Sequence, residues 1–157
     1  MKKLIFPFLI LSFLLTSCEN DDDVCVSGEA TPRLKIKFKS ADNKVLTLDS
    51  LYLDVDYGNN NILTVVRAAK VDSALIPIRV DDAGFTELYV RKTKKGSVSK
   101  IKLNYNTTSE YVSPACGFKR LYQNLSGTLE TANPVTKVEL NQNQIINENK
   151  AHLYLVF

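Results

Sequence analysis

The chain contains no tryptophan, one histidine, one methionine, six glycines and three cysteines among its 157 residues. Each scarcity closes off a class of chemistry. A serine-hydrolase triad needs a histidine beside a serine and a carboxylate. The lone His152 is accompanied by no Gly-x-Ser-x-Gly elbow. The glycines compose neither a phosphate-cradling loop nor a dinucleotide-binding fingerprint. Three cysteines and one histidine without Cys-x-x-Cys spacing are a poor ligand set for structural zinc. No apolar run reaches the roughly 20 residues that a membrane-spanning helix requires. No amphipathic helical run of twelve residues stands out either. Charge of one sign is also lacking. Lys2 and Lys3 supply two of the twenty basic residues, so the chain after residue 17 carries eighteen basic against seventeen acidic groups. That balance gives no support to nucleic-acid binding. The sequence therefore leads us to expect no cofactor, no metal and no catalytic activity.

What is present begins at the N-terminus. Lys2 and Lys3 precede an apolar run, Leu4 to Leu15, broken only by Pro7 and Ser12. That is the length of a signal-peptide hydrophobic region. The run closes on Leu15-Thr16-Ser17-Cys18, which resembles the lipobox of bacterial lipoproteins. The resemblance implies cleavage after residue 17 and lipidation of Cys18. A membrane partner would then be held through acyl chains, of which two or more are needed for a stable anchor. Glu19-Asn20-Asp21-Asp22-Asp23 follows as an acidic, solvated tether. It is either a plain spacer or a surface-export signal of the kind found behind lipidated cysteines in Bacteroidota-type bacteria. The expected organisation is a signal over 1–17, a tether over 18–30 and one domain over 31–157.

With Cys18 acylated, Cys25 and Cys116 remain as an even pair in an oxidising compartment and are expected to form a disulfide. Two unpaired buried thiols are the competing reading.

From Pro32 onward the pattern has period two. Leu34, Ile36 and Phe38 alternate with Arg33, Lys35, Lys37 and Lys39, and Leu51, Leu53 and Val55 alternate with Tyr52, Asp54 and Asp56. Ile62 to Arg67, Ile76 to Val80, Phe85 to Arg91, Ile101 to Tyr105, Thr136 to Leu140 and Leu153 to Phe157 read as further strands. Pro77 assigns its strand to an edge or a bulge. Lys119 to Leu125 is open between a helical turn and a strand. Turns are expected at Ala41–Lys44, at Gly58–Asn61 and at Asp81–Gly84. Eight or nine short strands predict an all-β antiparallel sandwich, Ig-like or transthyretin-like, with a small barrel as the alternative.

Taken together, the lipobox, Asp21-Asp22-Asp23-Val24-Cys25, Thr31-Pro32-Arg33-Leu34, Tyr111-Val112-Ser113-Pro114-Ala115-Cys116-Gly117-Phe118 and Glu148-Asn149-Lys150-Ala151-His152 resemble an uncharacterised lipoprotein family of Bacteroidota-type bacteria. That family is catalogued only as a domain of unknown function. The resemblance covers nearly all of the chain after the signal. It implies a periplasmic or surface lipoprotein, assigns no activity, and offers no functional residue to carry over.

Several side chains are candidates for binding or modification. Lys35, Lys37, Lys39, Lys100 and Lys102 could align on one sheet face as a basic patch toward phosphates or acidic glycans; a solvated sheet face is the plainer reading. Seven tyrosines could stack on sugars or fill the core. Ser50 in Asp49-Ser50-Leu51 and Ser73 in Asp72-Ser73-Ala74 resemble O-glycosylation acceptors. Parity places His152 on the surface, facing away from Leu153. The expectation is a non-enzymatic envelope lipoprotein at the outer membrane, in its periplasmic or surface-facing leaflet, that binds or scaffolds another envelope component, protein or glycan; a surface glycan-binding module is the alternative.

Overall fold

The computed structural model describes residues 30–157. The described chain holds nine strands and no helix: β1 (Leu34–Lys39), β2 (Leu48–Asp56), β3 (Ile62–Val71), β4 (Ser73–Ile76), β5 (Phe85–Arg91), β6 (Ser99–Ser113), β7 (Gly117–Thr131), β8 (Lys137–Leu140) and β9 (Leu153–Val156). They form a four-stranded sheet in the order β4-β1-β9-β8 and a five-stranded sheet in the order β3-β2-β5-β6-β7. Neither closes into a barrel, so the architecture is the two-layer sandwich that the alternation predicts.

Parity explains how the layers meet. Successive side chains on a strand point to opposite faces. Leu34, Ile36 and Phe38 of β1 are fully buried, as are Leu51, Leu53 and Val55 of β2. Leu88, Val90, Ile101 and Leu103 continue the inner layer of the larger sheet, and Leu153 and Leu155 that of the smaller one. Lys35, Lys37, Tyr52, Asp54 and Asp56 lie between these positions and are pushed to the two outer faces. The sheets approach closely near Gly127. A Cβ there would stand 3.0 Å from Val138 Cγ1 and 3.5 Å from Leu103 Cδ2. The β2–β3 turn uses positive φ at Gly58, Asn59 and Asn60 (86°, 53° and 59°), residue types that tolerate it.

The fold departs from the sequence pattern in three places. The sandwich is not wholly antiparallel: β1 and β9 run parallel, with Ile36 opposite Leu153 and Phe38 opposite Leu155. A parallel pair needs a long connection, and here the connection is most of the domain. Pro77 does not lie in a strand. β4 stops at Ile76 because proline offers no N–H to the ladder, although β4 is an edge strand and Ile78 beyond it is buried. Finally, Lys119–Leu125, open between a helical turn and a strand, is strand, and the strand of Ile101–Tyr105 runs on to Ser113. They belong to one long hairpin, β6 and β7, of fifteen residues in each arm. Past Tyr105 on one arm and Tyr122 on the other, no side chain toward the tip is fully buried. The outer hairpin therefore has no apolar face to write an alternation into the sequence.

Candidate functional site

The outer face of the five-stranded sheet is built in rows by the strand register. Arg67, Tyr52 and Arg91 stand side by side on β3, β2 and β5. Thr64, Asp54, Tyr89 and Lys100 form the next row. Cations and rings interleave: Arg67 lies 5.8 Å from the Tyr52 ring centre and Lys102 lies 4.7 Å from that of Phe85. Asp54 accepts a 2.6 Å hydrogen bond from Thr64 and pairs with Arg91. Glu87 accepts from Tyr89 (3.1 Å) and pairs with Lys100 (2.9 Å). Burial works against ionisation of Glu87, but the hydrogen bonds from Lys100 and Tyr89 prevail and hold its carboxyl below the ordinary value. Lys100 also reaches Glu130 at 3.0 Å, and the two carboxylates push its pKa upward. Tyr52, Thr64, Arg67, Arg91 and Lys94 line an open groove of about 430 Å³ on this face.

The five candidate lysines are not brought together. β1 belongs to one sheet and β6 to the other, so Lys35, Lys37 and Lys39 lie on the opposite outer face from Lys100 and Lys102. A single basic patch is thus ruled out by the sheet order, which no local pattern could supply. Several of these charges are also engaged. Lys39 pairs with Glu139 at 2.8 Å and caps the Tyr154 ring at 4.2 Å. Lys137 and Lys39 together draw the Glu139 carboxyl down to about 2. Lys35 Nζ donates to the Glu148 carbonyl at 3.0 Å. Lys37 borders a groove of about 250 Å³ with Asn141, Asn149, Lys150 and Tyr154.

The sequence motifs around Thr31–Leu34 and Glu148–His152 meet in space. Arg33 grips Glu148 with two side-chain hydrogen bonds of 2.8 Å, and its backbone N–H adds a third of 2.9 Å. These bonds hold Glu148 below the usual carboxylate range. Beside the clamp, His152 is fully buried rather than on the surface. Its N–H donates to the Lys35 carbonyl, and the Lys35 N–H donates to Nδ1, each at 2.8 Å. An accepting Nδ1 places the ring proton on Nε2, which is buried without a hydrogen-bond partner. Burial pushes the His152 pKa down. The parity argument misplaces this residue because Ala151, His152 and Leu153 are consecutively buried where β9 starts, so there is no alternation to extend.

The hairpin tip is the third feature. Tyr111 and Phe118 are cross-strand partners, ring centres 5.4 Å apart and edge to face, and they remain 56% and 69% exposed. Gly117 takes the left-handed conformation that the turn requires (φ 67°). Cys116 lies in that turn, its N–H donating to Ser113 Oγ at 3.1 Å. Of the other tyrosines, Tyr105 and Tyr122 are core residues. Ser50 donates its hydroxyl to the Lys92 carbonyl and Ser73 donates to Asp72 at 2.9 Å. Cys18, Cys25, the signal and most of the tether lie outside the described residues.

Fold and surface thus define an all-β sandwich of two sheets with one long hairpin among the described residues. Among the described residues no three His, Cys, Asp or Glu side chains gather where they could hold a metal ion. Residues 45–157 match the model of DUF6452, a family of unknown function, and the chain belongs to that family. The match begins at Val45, after the end of β1, although β1 is an inner strand of the smaller sheet. No curated protein and no solved structure matches the chain.

Proposed function

We propose that this protein is an envelope lipoprotein, held at the outer membrane by lipid on Cys18, whose sandwich binds or scaffolds another envelope component without catalysing a reaction. The anchor is supported by the charged start, the apolar run and Leu15-Thr16-Ser17-Cys18. The binding role is supported by one observation above others: the Arg67–Tyr52–Arg91 row and its groove on the larger outer face. Tyrosine and arginine are the side chains that carry most energy in protein interfaces. Here neighbouring strands hold them in place before a partner arrives, which lowers the ordering entropy of association. Crosslinked envelopes should yield a fixed protein partner with the wild-type chain and lose it with Tyr52→Ala and Arg67→Ala combined. Recovery unchanged by those substitutions would reject this face as the binding surface.

The same groove favours a second reading, a surface glycan-binding module, because a tyrosine ring beside arginines and a hydroxyl suits an acidic sugar. Saturable glycan-array hits abolished by Tyr52→Ala would favour it. We also propose that Cys25 and Cys116 are joined. Support comes from Thr31, whose Oγ1 accepts a 2.9 Å hydrogen bond from the Arg120 N–H and so brings the start of the described chain to the hairpin bearing Cys116. Non-reducing mass spectrometry should recover the two peptides linked. Palmitate labelling abolished by Cys18→Ala, and protease shaving of intact cells, test the anchor and the membrane face.

A further inference from the structure

We infer that the tip of the β6–β7 hairpin is a membrane-contacting element, seating Tyr111 and Phe118 in the interfacial layer of the bilayer to which the chain is tethered. The inference rests on the lipid-anchor reading for its geometry and adds a second, non-covalent contact to it. Three observations converge on the tip. First, Tyr111 and Phe118 are large rings on the same face of a hairpin end, with more than half of each surface left to solvent. No packing within the described residues accounts for leaving a paired tyrosine and phenylalanine so open. Aromatic side chains with one polar edge favour the membrane–water boundary. Pro114 and Ala115, two of the three residues between the two arms, are also exposed and uncharged.

Second, the hairpin has the shape of a probe. β6 is fifteen residues long. The eight beyond Tyr105 extend about 25 Å along the strand at the usual rise, and none is fully buried. Beyond the Ser109–Arg120 pair, where Arg120 still bonds Thr31 and meets Asp82, the last four residues of β6 carry the tip about 13 Å farther out.

Third, the tethered end of the chain is on the same side. Thr31 is bonded to Arg120, only three residues from Gly117. Thr31 is thirteen positions from Cys18, a reach of at most about 45 Å when fully extended. A lipid on Cys18 would therefore act through a tether that leaves the domain beside this hairpin. The opposite end of the sandwich lies about 33 Å farther along, ten residues back on β6 from Ser109, the cross-strand partner of Arg120. Ser99, the first residue of β6, bonds Val135, and that end also holds Lys39, Val45 and Val156.

The full-length chain, purified from membranes and mixed with phosphatidylethanolamine–phosphatidylglycerol vesicles, provides the test. The protein has no tryptophan, so a single introduced one is an unambiguous reporter. Phe118→Trp, and Tyr111→Trp as a second reporter should the first fail to fold, are expected to show blue-shifted emission and quenching by lipids brominated on the acyl chains. Val45→Trp, 70% exposed at the far end, is expected to show neither. Intact mass reports acylation of Cys18 independently. Quenching confined to the tip variants supports the inference. If it occurs on unacylated protein, the tip contact stands and the anchor reading falls. Acylated protein with unquenched tip reporters, or with quenching equal at residue 45, overturns the inference and leaves the anchor reading intact.

Discussion

Tyr122 sits where the hairpin leaves the sandwich, and removing its hydroxyl should make the protein more stable. The residue is fully buried, its ring meeting that of Tyr105 edge to face at 5.0 Å. Its backbone exchanges hydrogen bonds with Ile145 (3.2 and 2.8 Å), which locks the Asn/Gln-rich loop over the hairpin base. Its hydroxyl has no partner, and burial raises its pKa strongly. A buried polar group left unpaired costs about 1–3 kcal/mol. Tyr122→Phe keeps the ring, the edge-to-face contact and the backbone bonds while deleting that penalty. We expect a gain of about 1 kcal/mol, or a Tm higher by about 3–5 °C for a domain of this size. Tyr105→Phe is the matched control. Its hydroxyl lies 2.6 Å from Thr86 Oγ1, which is itself fully buried. Deleting it should lower stability by about 1 kcal/mol. Guanidinium denaturation of both variants, with unchanged m-values, would read the two signs directly. A Tyr122→Phe variant that is less stable than wild type would refute the reasoning, because it would mean the hydroxyl is bonded in solution.

Acidification should weaken the fold through His152. Its folded pKa lies below the ordinary 6.5, so the unfolded chain binds the extra proton more readily. Stability is then full above about pH 6.5 and declines as pH falls through the lower folded value. Denaturant midpoints measured between pH 7.5 and 5 should show the decline, and His152→Gln should flatten it over that window. Asp54→Ala should cost about 2 kcal/mol in urea unfolding, since it strands the Arg91 guanidinium at a site where both side chains are mostly covered (14% and 21% exposed). Gly127→Val should lose about 1–3 kcal/mol by forcing apart Val138 and Leu103; a thermal melt within a degree of wild type would contradict the close approach of the sheets.

The legible part of the fold is the part that is buried on one side only. Leu34, Ile36 and Phe38, or Leu51, Leu53 and Val55, announce their strands because water and core alternate across the backbone there. Residues 106–113 and 117–121 carry no such record, since both of their faces meet solvent for most of their length. Sheet order is illegible for a different reason. Nothing local to Lys35 or Lys100 says that their strands belong to different layers, and the parallel pairing of β1 with β9 depends on residues more than a hundred positions apart. The Arg33–Glu148 clamp was hidden in the same way, although both of its partners lie in stretches that stand out in the sequence. The burial of His152 required knowing that Lys35 would present an N–H to its ring.

The side-by-side seating of β1 and β9 also constrains how the molecule is made. An inner strand of the smaller sheet must wait, half-bonded, until residues 153–156 arrive to complete it. The loop-closure entropy of more than a hundred intervening residues has to be met before that pairing forms, so the smaller sheet is completed late and the domain is expected to fold slowly.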